Sequence, residues 1–200
     1  MDRQSDDELK KRNRAAGTIA RTKPSPETLA NLQRMRDELK GSPGDPTKGA
    51  QVFKDFCAKC HRLFGEGAAI GPELTQANRM DREYLLTNIV DPNQAIHTRY
   101  TQYVIRATSG EEFNGLIAQR TANAITLINA TGATTEIAVE DVDEIREAGT
   151  SLMPEGLITN LAGDDVRNLF AYLQSEGPKP AAGQRSKSVA QTMVWFENDG

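Results

Sequence analysis

Gly49-Ala50-Gln51-Val52-Phe53-Lys54-Asp55-Phe56-Cys57-Ala58-Lys59-Cys60-His61 is the stretch on which the reading of this chain turns. Gly49, Val52, Phe53 and Phe56 recur at helical spacing. Asp45-Pro46 supplies the start, a capping carboxylate with proline at the first helical position. The helix therefore runs straight into Cys57-x-x-Cys60-His61, which places two thiols and an imidazole within five positions. With two cysteines in 200 residues, a spacing of three followed by histidine arises by chance about once in 5000 sequences.

The spacing has a chemical meaning. Two thiols one helical turn apart can add to the two vinyl groups of a haem as thioethers, and the adjacent histidine then projects its imidazole at the iron. That is the c-type haem attachment pattern. A redox Cys-x-x-Cys pair calls for a preceding strand in a βαβ unit, whereas an amphipathic helix precedes this motif. A zinc site needs four ligands, and Cys57, Cys60, His61 and His97 supply them only in an unusual arrangement.

Composition narrows the other classes. Hydrophobic residues make up 38% and aromatics 6%, a lean core for this length. A net charge of -4 argues against nucleic-acid binding through bulk charge. No run of 18 apolar residues is present, so no membrane span is expected in this chain. Two cysteines exclude a disulfide scaffold and a Cys₄ zinc site. Met1 to Arg14 carries Asp6-Asp7-Glu8 and Lys10-Lys11-Arg12 without an apolar stretch after them, so this segment does not read as a secretory signal.

Along the chain, residues 1–44 are expected to be a polar helical extension or linker. Within it, Ser25-Pro26-Glu27 starts a helix with the narrow stripe Leu29, Leu32, Met35 and Leu39, ended by Gly41-Ser42-Pro43-Gly44. Residues 45–176 form the main domain. Asp81 caps a helix carrying Leu85, Leu86, Ile89 and Val90, and Asp91-Pro92 stops it. From Tyr100 the pattern alternates, predicting a small antiparallel β insert over about 100–146 with strands at Tyr103–Ala107, Phe113–Gln119, Ala124–Ala130 and Thr135–Val139. A last helix follows Asp164, with Val166, Leu169, Phe170 and Leu173 on one face, and Gly177-Pro178 ends it. Residues 177–200 are expected to be a linker and, at Val194-Trp195-Phe196, the start of a strand in a following segment.

Gly49 and Phe53 on the first helix, an aromatic in Leu169-Phe170-Ala171-Tyr172-Leu173, and the haem motif together resemble the class I cytochrome c fold. The fold expected on this basis is mainly α, with the β insert between the helix before Asp91-Pro92 and the Met153 loop. Gly71-Pro72-x-Leu74, beginning ten residues after His61, resembles the family's loop. In that family the proline carbonyl accepts the proton of the haem histidine's other ring nitrogen, which fixes the ring. Met153, before Pro154 and the final helix, stands where the family carries its Met-Pro loop, and a thioether is a soft iron ligand. Met80 is the runner-up, and His97 or an open iron the remaining alternatives. Arg79 and Arg99 are weaker candidates to pair with haem propionates.

Ile70–Thr75, Glu83–Leu86, Ile89–Asn93 and Ser151–Leu157 resemble more closely the haem-binding domain of the planctomycete and Verrucomicrobium type. The resemblance implies one haem c on Cys57 and Cys60, with His61 and Met153 as axial ligands and Phe53, Pro72 and Leu74 around the cofactor. It implies an electron carrier rather than an enzyme. It also implies a redox partner or fused oxidoreductase and a place in a longer exported protein, periplasmic or otherwise extracytoplasmic, with its signal upstream. An open-site peroxidase or ligand sensor and a structural zinc module are the alternative functions.

Overall fold

The computed structural model describes residues 23–177 and the backbone of a short strand at 18–20. The charged run at 1–14 and the expected linker and strand beyond 177 lie outside the described residues. Four α-helices are described: α1 Pro26–Glu38, α2 Pro46–Phe56, α3 Arg82–Val90 and α4 Gly163–Leu173. The strands are β1 Thr18–Ala20, β2 Ala95–His97, β3 Thr101–Ala107, β4 Glu112–Arg120, β5 Ala124–Ile128, β6 Thr134–Ala138 and β7 Val142–Ser151.

The first three helices begin where the sequence places capping groups. Ser25 Oγ accepts from Thr28 N–H at 3.0 Å, Asp45 Oδ1 from Thr47 N–H at 2.8 Å, and Asp81 Oδ1 from Tyr84 N–H at 3.0 Å. Each bond satisfies a backbone donor that the first helical turn leaves without a partner.

α2 and α4 cross closely because α2 carries Gly49 at the contact. A Cβ there would lie 1.9 Å from the carbonyl oxygen of Asn168. Asn168, itself buried, accepts the Asp45 N–H at 2.7 Å, which ties the start of α2 to α4. The aromatic that meets Phe53 across this crossing is Tyr172, with ring centroids 5.6 Å apart. Phe170 is buried elsewhere in the same core.

α1 is a full member of that core. Leu32, Met35 and Leu39 join Val52, Phe53, Leu86, Val166, Leu169 and Leu173 in one cluster, and Met35 is completely buried. Its C-terminal carbonyls are covered by arginines: Arg167 Nη1 donates to Glu38 O at 3.0 Å and Arg82 Nη1 to Leu39 O at 3.4 Å. The described part of the expected extension thus packs as one unit with the helices that follow it.

The β segment forms an antiparallel five-stranded sheet in the order β6-β5-β4-β3-β7, with its own small core of Ile105, Ile125, Leu127 and Ile137. Four of its strands lie where alternation predicts them. The fifth, β7, extends the insert beyond residue 146 and returns to the free edge of β3, pairing Ile145 with Ile105 and Ser151 with Thr101. Its sequence is crowded with charge, and Arg106 on β3 meets Asp143 at 2.8 Å and Glu144 at 2.9 Å across the pair. Charged side chains on an edge strand mask the period-2 signal while blocking further strand addition. With β1 paired antiparallel to β2 as well, strand residues are nearly as numerous as helical ones among the described residues. The chain is therefore a mixed helix–strand protein rather than a mainly α one. The excess of strand over expectation has a local cause: two strands are only three residues long and β7 is an edge strand.

Candidate haem site

The cysteine motif is a tight continuation of α2. Cys57 N–H and Ala58 N–H both donate to Phe53 O, at 2.8 and 2.9 Å, and Cys60 and His61 donate back to Cys57 O at 3.0 and 2.9 Å. The loop after His61 then folds over the motif: Ala68 N–H donates to Ala58 O at 2.9 Å and Gly71 N–H to Cys60 O at 2.7 Å. Gly67, at φ +100°, passes so close that a Cβ would lie 2.2 Å from His61 O.

This loop brings Pro72 to the histidine. His61 Nδ1 lies 2.9 Å from Pro72 O. A carbonyl can only accept, so Nδ1 carries the hydrogen, and in the neutral imidazole Nε2 then holds the lone pair. Burial pulls the imidazole pKa below the ordinary histidine value, and the Pro72 carbonyl opposes that shift. The bond orients the ring, and burial favours its neutral form with Nε2 bare, the state in which an imidazole ligates a metal.

The cysteines are both free. Burial, with a smaller contribution from Cys60, pushes the Cys57 thiol up to about 12, and burial also raises Cys60. A redox Cys-x-x-Cys pair depends on a depressed thiol pKa, the opposite of what this site produces. A structural zinc site needs four ligands, of which the two sulfurs supply half. Among the described residues no group of three or more His, Cys, Asp or Glu is placed to hold a metal ion. A thioether carries no charge, so burial costs it nothing of this kind.

One further observation fits the residues to a covalently held haem. The space beside the imidazole exists only because residue 71 is glycine: a Cβ there would lie 2.7 Å from His61 Cε1. Thr101 Oγ1, at the position paired with Ser151, is buried without a hydrogen-bond partner among the described residues.

The remaining residues fall as follows. Phe53 is buried at the α2–α4 crossing, and Leu74 is partly buried against the same core. Met153 is half-buried in the loop that leaves β7, and its N–H donates to Ser151 Oγ at 3.1 Å. Met80 is 57% exposed, and its carbonyl accepts from Gln174 Nε2 at 3.0 Å. His97 Nδ1 accepts the Arg99 N–H at 3.2 Å and so caps its own turn. Arg79 is engaged at the end of α4, donating to Leu173 O at 3.0 Å and to Ser175 O, with its guanidinium 4.9 Å above the Phe64 ring.

Sequence reasoning missed two features here. Phe64 sits at φ +53° in a reverse turn closed by Leu63 and Glu66, and its ring meets Tyr172 edge-on at 5.6 Å. The other is the β5–β6 turn, which reaches the motif: Ala130 O lies 3.9 Å from Cys60 Sγ. Gly65 was the available signal for the first; the second is a tertiary contact 70 residues distant in sequence.

Comparison with known proteins agrees with this geometry. The cytochrome c family model matches residues 46–113, which span α2, the cysteine motif, the Pro72 loop and the start of the sheet. The cytochromes c of Cochliobolus lunatus and Arabidopsis thaliana are each 62% identical over 32 residues, 16% of this chain and 30% and 29% of their own lengths. The chain thus spans about 30% of the length of the curated relatives it matches. The match implies covalently bound haem c, and the two cysteines it requires stand three residues apart at 57 and 60. It supports an electron-carrier role. No helix among the described residues is long and apolar enough to cross a membrane.

Proposed function

We propose that this protein is a one-electron carrier in which His61 and Met153 would ligate the iron of a single haem c. The observation that carries the reading is the His61–Pro72 bond, which leaves Nε2 as a fixed, neutral donor. A bound haem supplies the iron couple. Cys57 and Cys60 would anchor it, His61 would ligate its iron through Nε2, and the α2–α4 crossing with Leu74 would exclude water from it. A low-dielectric surround and a thioether ligand both raise the potential. With His61 and Met153 both as ligands the iron would keep no site for a substrate, and the role would be carriage rather than catalysis.

Met153 is favoured over Met80 because Met80 is exposed and its backbone is committed to Gln174, whereas Met35 is wholly inside the helical core. The Ser151–Leu157 stretch further supports assignment to the planctomycete and Verrucomicrobium branch. With that branch goes a setting outside the cytoplasmic membrane, in a longer multidomain protein, with a redox partner or fused oxidoreductase.

The test is the absorption spectrum of protein produced with haem-maturation machinery. A pyridine haemochrome of the c type is expected, together with a far-red thioether–iron(III) band that is lost in Met153→Ala and kept in Met80→Ala. A colourless product of unmodified mass overturns the haem reading. A band that survives Met153→Ala overturns the ligand assignment alone.

A further inference from the structure

We propose that Asn93 is the positioning residue for the Met153 loop, holding both flanks of the methionine through one side-chain amide. Asn93 is buried, 5% exposed. Its Oδ1 accepts the Ser151 N–H at 2.7 Å, and its Nδ2 donates to the Glu155 carboxylate. Ser151 and Glu155 stand two residues before and two residues after Met153. A single planar group thus spans the loop from which the thioether would reach the iron.

The amide is itself held. Asp91 N–H donates to Thr87 O at 2.8 Å as the last bond of α3, and Gln94 N–H returns to Asp91 O at 3.0 Å. This makes a reverse turn over Asp91–Gln94 with Pro92 at its second position, where the proline ring presets φ. Asn93 therefore projects from a rigid corner between α3 and β2. Ser151 is held from the other side by its pairing with Thr101 at the end of β7, and Ser151 Oγ in turn accepts the Met153 N–H. The bonds run in series from the end of α3 through Asn93 and Ser151 to the backbone of Met153.

The amide suits this place better than either isostere. An aspartate keeps an acceptor for Ser151 but turns a negative charge on Glu155. A leucine leaves the Ser151 N–H unsatisfied in a buried site, the costly case for a polar group. Only an acceptor and a donor on one short side chain serve both flanks.

The proposal rests on Met153 being the axial ligand, and its test separates the two claims. In ferric, haem-loaded protein, imidazole competes with the methionine, so its affinity reports how firmly the loop holds the thioether. Asn93→Ala is expected to tighten imidazole binding about tenfold, the ratio that one lost buried hydrogen bond of ordinary strength produces. Asn93→Asp is expected to do the same. Combining Asn93→Asp with Glu155→Gln is expected to return the affinity to within about threefold of the starting value, because the amide introduced at position 155 then donates to the new carboxylate. Met35→Ala, which empties a fully buried position on α1, is expected to lower stability without changing imidazole affinity. If Met153→Ala abolishes the far-red band while imidazole affinity in Asn93→Ala and Asn93→Asp stays at the wild-type value, the positioning role fails and the ligand assignment stands. If Met35→Ala tightens imidazole as strongly as Asn93→Ala, the effect is general loosening and the proposal also fails. A band that persists in Met153→Ala removes the ligand assignment and this role with it.

Discussion

His61 donates its Nδ1–H to the carbonyl oxygen of Pro72 across 2.9 Å, eleven residues along the chain. The approach depends on Gly71, whose missing side chain leaves the imidazole room to stand beside the loop. Histidine tautomer, ring orientation and ligand basicity are thereby set by backbone geometry.

Gly71→Ala places a methyl 2.7 Å from His61 Cε1 and 3.0 Å from Nδ1, so the ring must swing away from Pro72. A weaker bond at Nδ1 makes the imidazole less basic and stabilises iron(III) less, and the reduction potential is expected to rise. Redox titration of the haem-loaded variant measures this. Gly65→Ala is the control: nothing lies within 4 Å of its Cβ, and its φ of +87° confines the effect to roughly 1–2 kcal/mol of stability. Equal potentials in the two variants would contradict the role of Gly71.

Gly49→Ala reverses a common rule. Alanine in a helix interior normally stabilises by about 0.5–1 kcal/mol relative to glycine. Here the new methyl meets a backbone carbonyl at 1.9 Å, so a loss of about 1–3 kcal/mol is expected in denaturant unfolding. A gain of stability would show that α2 and α4 do not cross at this residue.

Met35→Ala tests whether α1 belongs to the helical core. The side chain is fully buried, and truncation is expected to cost about 2–5 kcal/mol. Leu29→Ala, on the same helix but 53% exposed, is expected to stay within about 0.5 kcal/mol of wild type. Similar small losses at both positions would mean that α1 is a detachable tail.

Glu83 provides a pH-dependent check on the same docking. The Arg36 guanidinium beside it holds its carboxyl below the usual carboxylate range. The pair joins α1 to α3 at the surface, so Glu83→Gln is expected to cost only about 0.2–1 kcal/mol at pH 7, and less in high salt. Because the folded-state pKa is the depressed one, the stabilisation is present above the unfolded value of 4.5 and fades as pH falls through the folded value. Stability curves of the two proteins should converge in acid. Divergence there instead would mean that Glu83 is not the charged partner.

The functional centre is more legible in the sequence than the framework around it. Cys57, Cys60, His61 and Pro72 lie within 16 consecutive positions, and short-range backbone bonds bring them together, so spacing alone announces the site. Gly49 and Phe53 announce the crossing, but not that Tyr172 rather than Phe170 meets them, because helical phase leaves neighbouring aromatics ambiguous until α4 is docked. β7 escapes pattern reading since its apolar residues are sparse and its charges pair across the sheet. Its recognition matters, since this strand ends at Ser151, two residues short of Met153. The bonds of Asn93 join residues 58 and 62 positions apart, and no local pattern encodes them.

The turn between β5 and β6 does not fix the order in which the protein is assembled. Ala130, whose carbonyl comes to rest over the Cys60 sulfur, leaves the ribosome 70 residues after it. Until that hairpin forms this neighbour of the sulfur is missing, and in the folded chain Cys60 is still only partly covered. The hairpin therefore flanks one side of the sulfur without sealing it, and the sheet can close before or after the sulfur is modified.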